Sequence, residues 1–420
     1  MTTSDVRTPQ PPTTAFVWVW LPGATEPVVA GRLDAVGSVF MFTYGRSYLA
    51  RADAVPLYLP ELPLRTGRIR PPGDLRVAGS LADAGPDAWG QRVILARQRG
   101  RLAPTSDTGD LSLLTYLLES GSDRIGALDF QPSPTVYSPR QGSATLTELQ
   151  TAAERFEQGE PLSPALDEAL LRGTSIGGAR PKALIEDGSR HLIAKFSSIT
   201  DPYPVVKAEG VAMALARHVG LDVAGSEVVS SLGKDVLLVE RFDRTPVAGQ
   251  RRMLVSALTI LGLGEMTGRY ATYPDLADQV RARFTDPGAS LRELFSRIVF
   301  NIAIGNIDDH ARNHAAFWDG TQLSLTPAYD LCPQPRSGQE AAQAMAIGRA
   351  GERRSQFRTC LDAADVYQLT RADAAEIIDR QVDVIRDRWD EAADGARLTT
   401  LERQALWHRQ ILNPFTTFDT

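Results

Sequence analysis

The feature that most constrains this chain is the stretch Asn301 to His314, N-I-A-I-G-N-I-D-D-H-A-R-N-H. The sequence has four asparagines and five histidines. Three of the asparagines (Asn301, Asn306, Asn313) and two of the histidines (His310, His314) fall here, with the acidic pair Asp308 and Asp309. The approach, Leu294 to Ile304, is mostly apolar and helical in period. An apolar helix that stops at Gly305 and then gathers amides, carboxylates and imidazoles has a poor packing rationale. It predicts a buried element that delivers polar groups to a cleft.

Spacing narrows the chemistry. Asp308 stands five residues before Asn313, the D-x-x-x-x-N spacing of a phosphotransferase loop in which Asp takes the proton of the attacking hydroxyl and Asn holds magnesium. Asp309 does not fit that spacing. A further acid, Asp330 in P-A-Y-D-L, follows the apolar alternation of Leu323 to Ala328, which places a second magnesium ligand at a strand end. Phosphoryl transfer needs such parts because its transition state spreads charge over oxygens that a hard cation neutralises. Two other readings stand beside this one. Asn and Asp can simply bond their own backbone in a loop. His310 and His314, at i and i+4, have the spacing of a zinc pair, but Ala311 stands where a metalloprotease of that kind needs Glu.

Composition adds limits. The 420 residues suffice for two or three domains with a large core, and a net charge of −6 argues against a broad nucleic-acid-binding face. The two cysteines, Cys332 and Cys360, lack metal or redox spacing. With no apolar run of membrane-spanning length and no signal-peptide core, a cytoplasmic protein is expected. Only four of the 45 basic residues are lysine, and Lys182, Lys195, Lys207 and Lys234 all lie between positions 182 and 234. Lys is a compact point charge suited to a nucleotide phosphate, and Arg is not its equivalent.

Residues 1–14 are expected to be an arm, 15–135 a β-rich region, 145–255 a nucleotide-binding part and 256–420 a helical catalytic lobe. Short β-type runs cover Val17 to Leu21, Val28 to Leu33, Val39 to Tyr44 and Tyr48 to Ala50. Ser80 to Arg97 turns helical, Gly121 to Phe130 feeds a strand, and the Pro- and Ser-rich Pro132 to Gly142 is a candidate linker. Leu146 to Glu157 and Pro164 to Leu171 are helical. The loop Gly173 to Ala183 carries Gly177 and Gly178, which let backbone approach a phosphate, although such a dipeptide is also a plain turn. The strand His191 to Phe196 presents Lys195. The helix Val206 to Val219 presents Glu209, a candidate partner for Lys195 or a solvated charge. Val236 to Glu240 leads into E-R-F-D-R, either a hinge offering backbone groups to adenine or a salt-bridged turn. Helical patterns dominate beyond Ser256, and the basic, glycine-bearing Met345 to Arg354 faces the cleft or a partner.

The ordered set S-I-G-G-A-R-P-K, L-I-A-K-F, E-R-F-D-R, I-G-N-I-D-D-H-A-R-N-H and P-A-Y-D-L resembles the HipA family of serine/threonine kinases, the toxins of two-component toxin–antitoxin systems. L-A-D-A-G-P-D-A-W-G and G-S-D-R-I-G-A-L resemble that family's amino-terminal region. The resemblance implies a two-lobed α+β fold, with a mixed or antiparallel-sheet N-terminal part, a mostly helical C-terminal lobe and Mg-ATP between them. It implies Asp308 as catalytic base, Asn313 and Asp330 as magnesium ligands and Lys195 on the phosphates. The nucleotide's surroundings are then Ser175, Ile176, Gly177, Gly178, Ala179, Lys182, Glu209, Glu240, Phe242, Asp243 and His310. Ser175 matches the serine these kinases autophosphorylate to silence themselves, and Thr174 is the adjacent alternative. The usual partner is a small HipB-like helix-turn-helix antitoxin that binds operator DNA, so DNA contact is indirect. The best-known targets are aminoacyl-tRNA synthetases. Three departures stand out. Asp309 sits where the best-known members have glycine, Pro181 lies in the glycine loop, and Ser256 to Leu276 resembles one branch of the family. A non-catalytic nucleotide-binding corepressor and a small-molecule phosphotransferase are the competing functions.

Overall fold

The computed structural model describes residues 11–99, 107–140, 144–160, 180–198, 201–336 and 338–418, with positions 163, 166, 168, 170 and 174. The first sheet is antiparallel, in the order β3-β2-β1-β4: β1 Thr14–Val19, β2 Val28–Val36, β3 Val39–Tyr44 and β4 Leu128–Gln131. One face is core, with Ala15, Val17, Val19, Leu33, Phe40 and Phe42 buried at period two. The β2–β3 connection is two residues, with Gly37 at φ 61° as tight hairpins require.

Three local expectations meet a different outcome. Tyr48 to Ala50 is not a strand, because Arg46–Leu49 makes a helical turn that stacks Tyr48 on Tyr44 at 5.5 Å. Ser80 to Arg97 is not one helix. It divides into Gly79–Ala82 and α1 Ala88–Arg99 around Pro86, whose missing N–H breaks the ladder. Pro132 to Gly142 does not behave as a linker in its described part. Tyr137 packs on Trp18 and Trp20, and Arg140 bonds Asp129 at 3.0 Å. The predicted helix at Pro164 to Leu171 lies largely outside the described residues.

The second sheet has β5 Lys182–Asp187, β6 Arg190–Phe196, β7 Ser226–Ser231 and β8 Lys234–Glu240, in the order β5-β6-β8-β7. Helix α2, Leu146–Glu157, buries Leu149, Ala152 and Ala153 with Ala183, Ala194, Phe196 and Val236 of this sheet. Trp89 of α1 joins the same core, so the amino-terminal region packs directly against the second sheet. On the opposite side α3, Val205–His218, carries Glu209 and packs on β7 and β8.

The C-terminal lobe is built on α4 Tyr273–Arg283, α5 Pro287–Ile304 and α6 Arg371–Gly395. It also holds a three-stranded sheet, β9 Leu254–Ser256, β10 Ala315–Trp318 and β11 Leu323–Leu325, in the order β11-β10-β9. Helix α5 is capped by Asp286 and Pro287, and every residue from Leu294 to Ile304 is buried. It stops at Gly305, at φ 69°, where a Cβ would also lie 2.6 Å from the Gln410 carbonyl oxygen. Glycine is therefore required there twice over, and the chain must turn into the polar stretch. Among the described residues no helix is long and apolar enough to cross a membrane.

A buried ionic knot ties the first sheet to the second. Asp243 accepts from Arg241 Nη2 and Arg244 Nη1, each at 2.8 Å, and from the Gly126 amide at 2.7 Å. Asp123 faces the same two arginines at 2.9 and 2.5 Å. E-R-F-D-R is thus the salt-bridged turn, and its partner is G-S-D-R-I-G-A-L. Burial would raise the Asp243 carboxyl, but Arg241 and Arg244 overcome that and hold it at about 2. A depressed pKa stabilises the fold above the unfolded value and is lost as pH falls through the folded one. The drop from 3.8 to about 2 corresponds to about 2 kcal/mol, lost between roughly pH 4 and pH 2. Arg241→Met should cost roughly 3–5 kcal/mol in urea unfolding, because it strands buried carboxylates. Asp243→Asn should flatten the acid edge of the stability curve between about pH 4 and 2. An unchanged edge would show that the knot does not contribute.

Candidate active site

Lys195 projects from β6, and its ammonium lies 2.5 Å from Glu209 Oε1 and 2.7 Å from Asp330 Oδ1. Glu209 is buried on α3, so it is a partner for Lys195 rather than a solvated helix charge. Asp330 follows β11 at φ 59°, a left-handed conformation uncommon outside glycine that turns the carboxylate toward the lysine. Tyr329 beside it donates to the Arg312 carbonyl at 2.7 Å, which fastens this segment to the 308–313 loop. Burial works against the Lys195 ammonium, but Asp330 and Glu209 more than offset it and hold its pKa above the usual lysine range. In turn the lysine charge holds the Asp330 carboxyl down at about 2. Burial raises the Glu209 carboxyl, and Lys195 opposes that rise.

The adjacent carboxylates Asp308 and Asp309 point in opposite senses. Asp309 is 2% exposed and turns inward. Its Oδ2 accepts from Asn301 Nδ2 at 2.8 Å, pairs with His314 Nε2 at 2.8 Å and accepts from the Tyr273 hydroxyl. Asn306 Nδ2 in turn donates to Asn301 Oδ1 at 3.0 Å. Asn301, Asn306 and His314 therefore build the floor of the loop instead of lining a cleft. Asp308 is turned outward and exposed. Loss of part of its solvent raises its carboxyl pKa. His310 opposes that rise, and the negative Asp330 and Asp309 add to it. Asn313 Nδ2 faces the Asp308 carbonyl at 3.5 Å, which closes the loop and leaves the Asn313 carbonyl oxygen for another partner.

The zinc alternative loses its geometry, since His314 is buried on Asp309 and His310 is exposed. Among the described residues no three His, Cys, Asp or Glu side chains are grouped as a metal site. Asp330 and Asn313 do offer oxygen donors of the kind magnesium takes, and the Asp330 side chain stays 45% exposed even while paired with Lys195.

Other predicted positions divide. Phe242 lies in a ring cluster with Tyr329 and Phe317, at 5.6 and 5.9 Å between centroids. The Asp243 carboxylate is fully engaged in the ionic knot, so it does not serve a nucleotide. Glu240 is exposed and pairs with Arg190 at 3.0 Å, and its amide is taken by the Gly225 carbonyl. Lys182 is buried against Asp87 at 3.1 Å, a partner from the amino-terminal region that sequence reasoning did not pair with it. Thr174 is fully buried, with its hydroxyl accepting from the Gly121 amide at 3.3 Å, so it is a poor substitute for Ser175 as an acceptor. Ser175, Ile176, Gly177, Gly178 and Ala179 lie outside the described residues. In the basic segment, Arg349 pairs with Asp278 of α4 at 2.9 Å.

The two carboxylates should separate cleanly by substitution. Asp309→Ala leaves three buried partners without an acceptor and should destabilise by roughly 3 kcal/mol or more in urea unfolding. Asp308→Asn should stay within about 0.5 kcal/mol of wild type. Equal effects would contradict the inward and outward assignment.

Residues 174–389 match the family model of the HipA-like C-terminal domain, and residues 19–131 match that of the HipA N-terminal domain. The chain is 28% identical over 268 residues to a putative kinase, Y4mE, of Sinorhizobium fredii, covering 57% of this chain and 60% of the relative. It is 28% identical over 241 residues to the serine/threonine-protein kinase toxin HipA of Shewanella oneidensis, covering 50% and 54%. The matches thus span little more than half the length of these curated relatives. The solved complex of Shewanella oneidensis HipA, HipB and operator DNA superposes with a TM-score of 0.63 at 20% identity, over 91% of this chain and 94% of that one. That likeness establishes the two-lobed fold. With the C-terminal model alone matching more than half of its length, the chain belongs to the HipA family.

Proposed function

We propose that this chain is a magnesium- and ATP-dependent serine/threonine protein kinase, acting as the toxin of a HipA/HipB-like toxin–antitoxin pair. The observation that carries this reading is the Lys195 ammonium clasped by Glu209 and Asp330 beside an outward Asp308. Two carboxylates against one ammonium leave one negative charge in excess, which a divalent cation with a nucleotide phosphate complements. In this account Lys195 orients the phosphates, and Glu209 keeps the lysine from swinging away. Asp330 and Asn313 would hold magnesium, whose chemistry is to neutralise charge on the transferring phosphoryl oxygens. Asp308 accepts the proton of the attacking hydroxyl as the oxygen–phosphorus bond forms, and the ADP oxygen leaves with its electron pair. The raised pKa of Asp308, from partial loss of solvent, makes its carboxylate a stronger base. Phe242 and its ring cluster supply an apolar wall for adenine.

Autophosphorylation of Ser175 as self-inactivation belongs to the same proposal, as do a helix-turn-helix antitoxin partner and a cytoplasmic location. A translation protein such as an aminoacyl-tRNA synthetase as target rests on family resemblance alone. The direct test is intact mass with peptide mapping of wild type and Asp308→Asn, with and without Mg-ATP. Phosphate on Ser175 in the wild type only is the expected result. ATP binding without phosphate in either protein would favour the corepressor or small-molecule reading.

A further inference from the structure

Resting on the kinase reading, we propose that Asp83 and Asp87 are positioning residues that together brace the catalytic loop against the nucleotide-binding sheet. They stand four apart in L-A-D-A-G-P-D-A-W-G, and each uses both carboxylate oxygens. Asp83 Oδ2 accepts from the Ser256 amide at 2.8 Å, and Oδ1 accepts from the Ser256 hydroxyl at 2.7 Å. Ser256 ends β9 opposite Ala315, the residue after His314, and the Ala257 amide donates to the His314 carbonyl at 2.7 Å. Arg312, inside the 308–313 loop, approaches Asp83 Oδ1 at 4.0 Å. Asp83 therefore holds the exit of the loop that carries Asp308 and Asn313.

Asp87 does the same work on the other lobe. Its Oδ1 accepts from the Gly90 amide at 2.9 Å at the start of α1, and its Oδ2 meets Lys182 Nζ at 3.1 Å. Lys182 is the ladder partner of Lys195 across β5 and β6. One turn further, Gly90 lies so close to the chain that a Cβ would stand 2.2 Å from the Thr174 carbonyl oxygen. The span between the two acids is itself fixed, since buried Arg124 donates to the Ala84 carbonyl at 2.9 Å. The seam around Asp83 and Ala84, lined also by Gly126, Met253 and Leu254, leaves a cavity of only about 10 Å³. Helix α6 packs on both α5 and α3 and is a second tie between the lobes. The Asp83–Asp87 segment is the tie that grips the strands flanking Lys195 and Asp308. Misplacing reacting groups by about 1 Å costs about 10²-fold in rate.

The test uses full-length wild type, Asp83→Asn, Asp87→Asn and the double variant. Each single variant should lower kcat at least about tenfold with Mg-ATP affinity within about threefold, and the double variant should fall no further, because cutting either end releases the same brace. Multiplied losses, or an unchanged kcat, would overturn the proposal. Asp87→Ser, which keeps the helix cap and loses the lysine contact, guards against a variant that merely unfolds α1. Hydrogen exchange gives a readout independent of turnover. Asp87→Asn should speed exchange of amides 254–257 and 313–318, at the far end of the brace, and loosening confined to residues near Asp87 would overturn the coupling. If wild type transfers no phosphate, the kinase reading fails by itself and the exchange result still decides the brace.

Discussion

The Lys195 ammonium, 2.5 Å from Glu209 and 2.7 Å from Asp330, is the interaction on which the rest of the molecule depends. Its three members come from a strand and a helix of the second sheet's layer and from a turn of the C-terminal lobe. Removing charged groups from water costs several kcal/mol each, so such a cluster persists only where the surrounding structure over-determines it. Here the surroundings do so. Helix α5 ends at an obligatory glycine, Asp309 is fixed by three partners, and Tyr329 fastens the Asp330 turn to the loop.

Polar groups in this protein divide into those that hold and those that are presented. Asp309, Asp243, Asp123 and Arg241 have their bonding capacity used internally. Asp308, the open side of Asp330 and the carbonyl of Asn313 do not. That division matters more than residue type, because Asp308 and Asp309 are chemically identical neighbours with opposite assignments. The amino-terminal region belongs to this scheme as well. Through the Arg241–Asp243–Gly126 knot and the acids at 83 and 87 it contacts both lobes with buried charge.

Much of this was legible in the sequence wherever chemistry and local spacing coincide. The five-residue step from Asp308 to Asn313 and the lysine at the strand end could be read directly, whereas Glu209 stood open between a partner for that lysine and a solvated helix charge. The fold class came from the family resemblance that the ordered motifs carry. What could not be read depends on partners far along the chain. Asp309 is oriented by Tyr273, 36 positions away, and Asp243 by Gly126, 117 positions away. Lys182 looked like a phosphate contact because lysine is scarce, but its partner Asp87 lies 95 positions earlier. The Tyr48 turn escaped for a similar reason, since a ring stack overrode a β-prone sequence.

A nucleotide-phosphate site at the Lys195 cluster requires that Mg-ATP binding depend on the lysine charge. Calorimetric titration of Mg-ATP into wild type and Lys195→Met, with far-UV circular dichroism to verify folding, tests it most directly. Wild type should bind saturably, and binding should weaken at least about tenfold in the variant, or about 1.4 kcal/mol. Equal affinity in two well-folded proteins, or no binding by wild type, would contradict it.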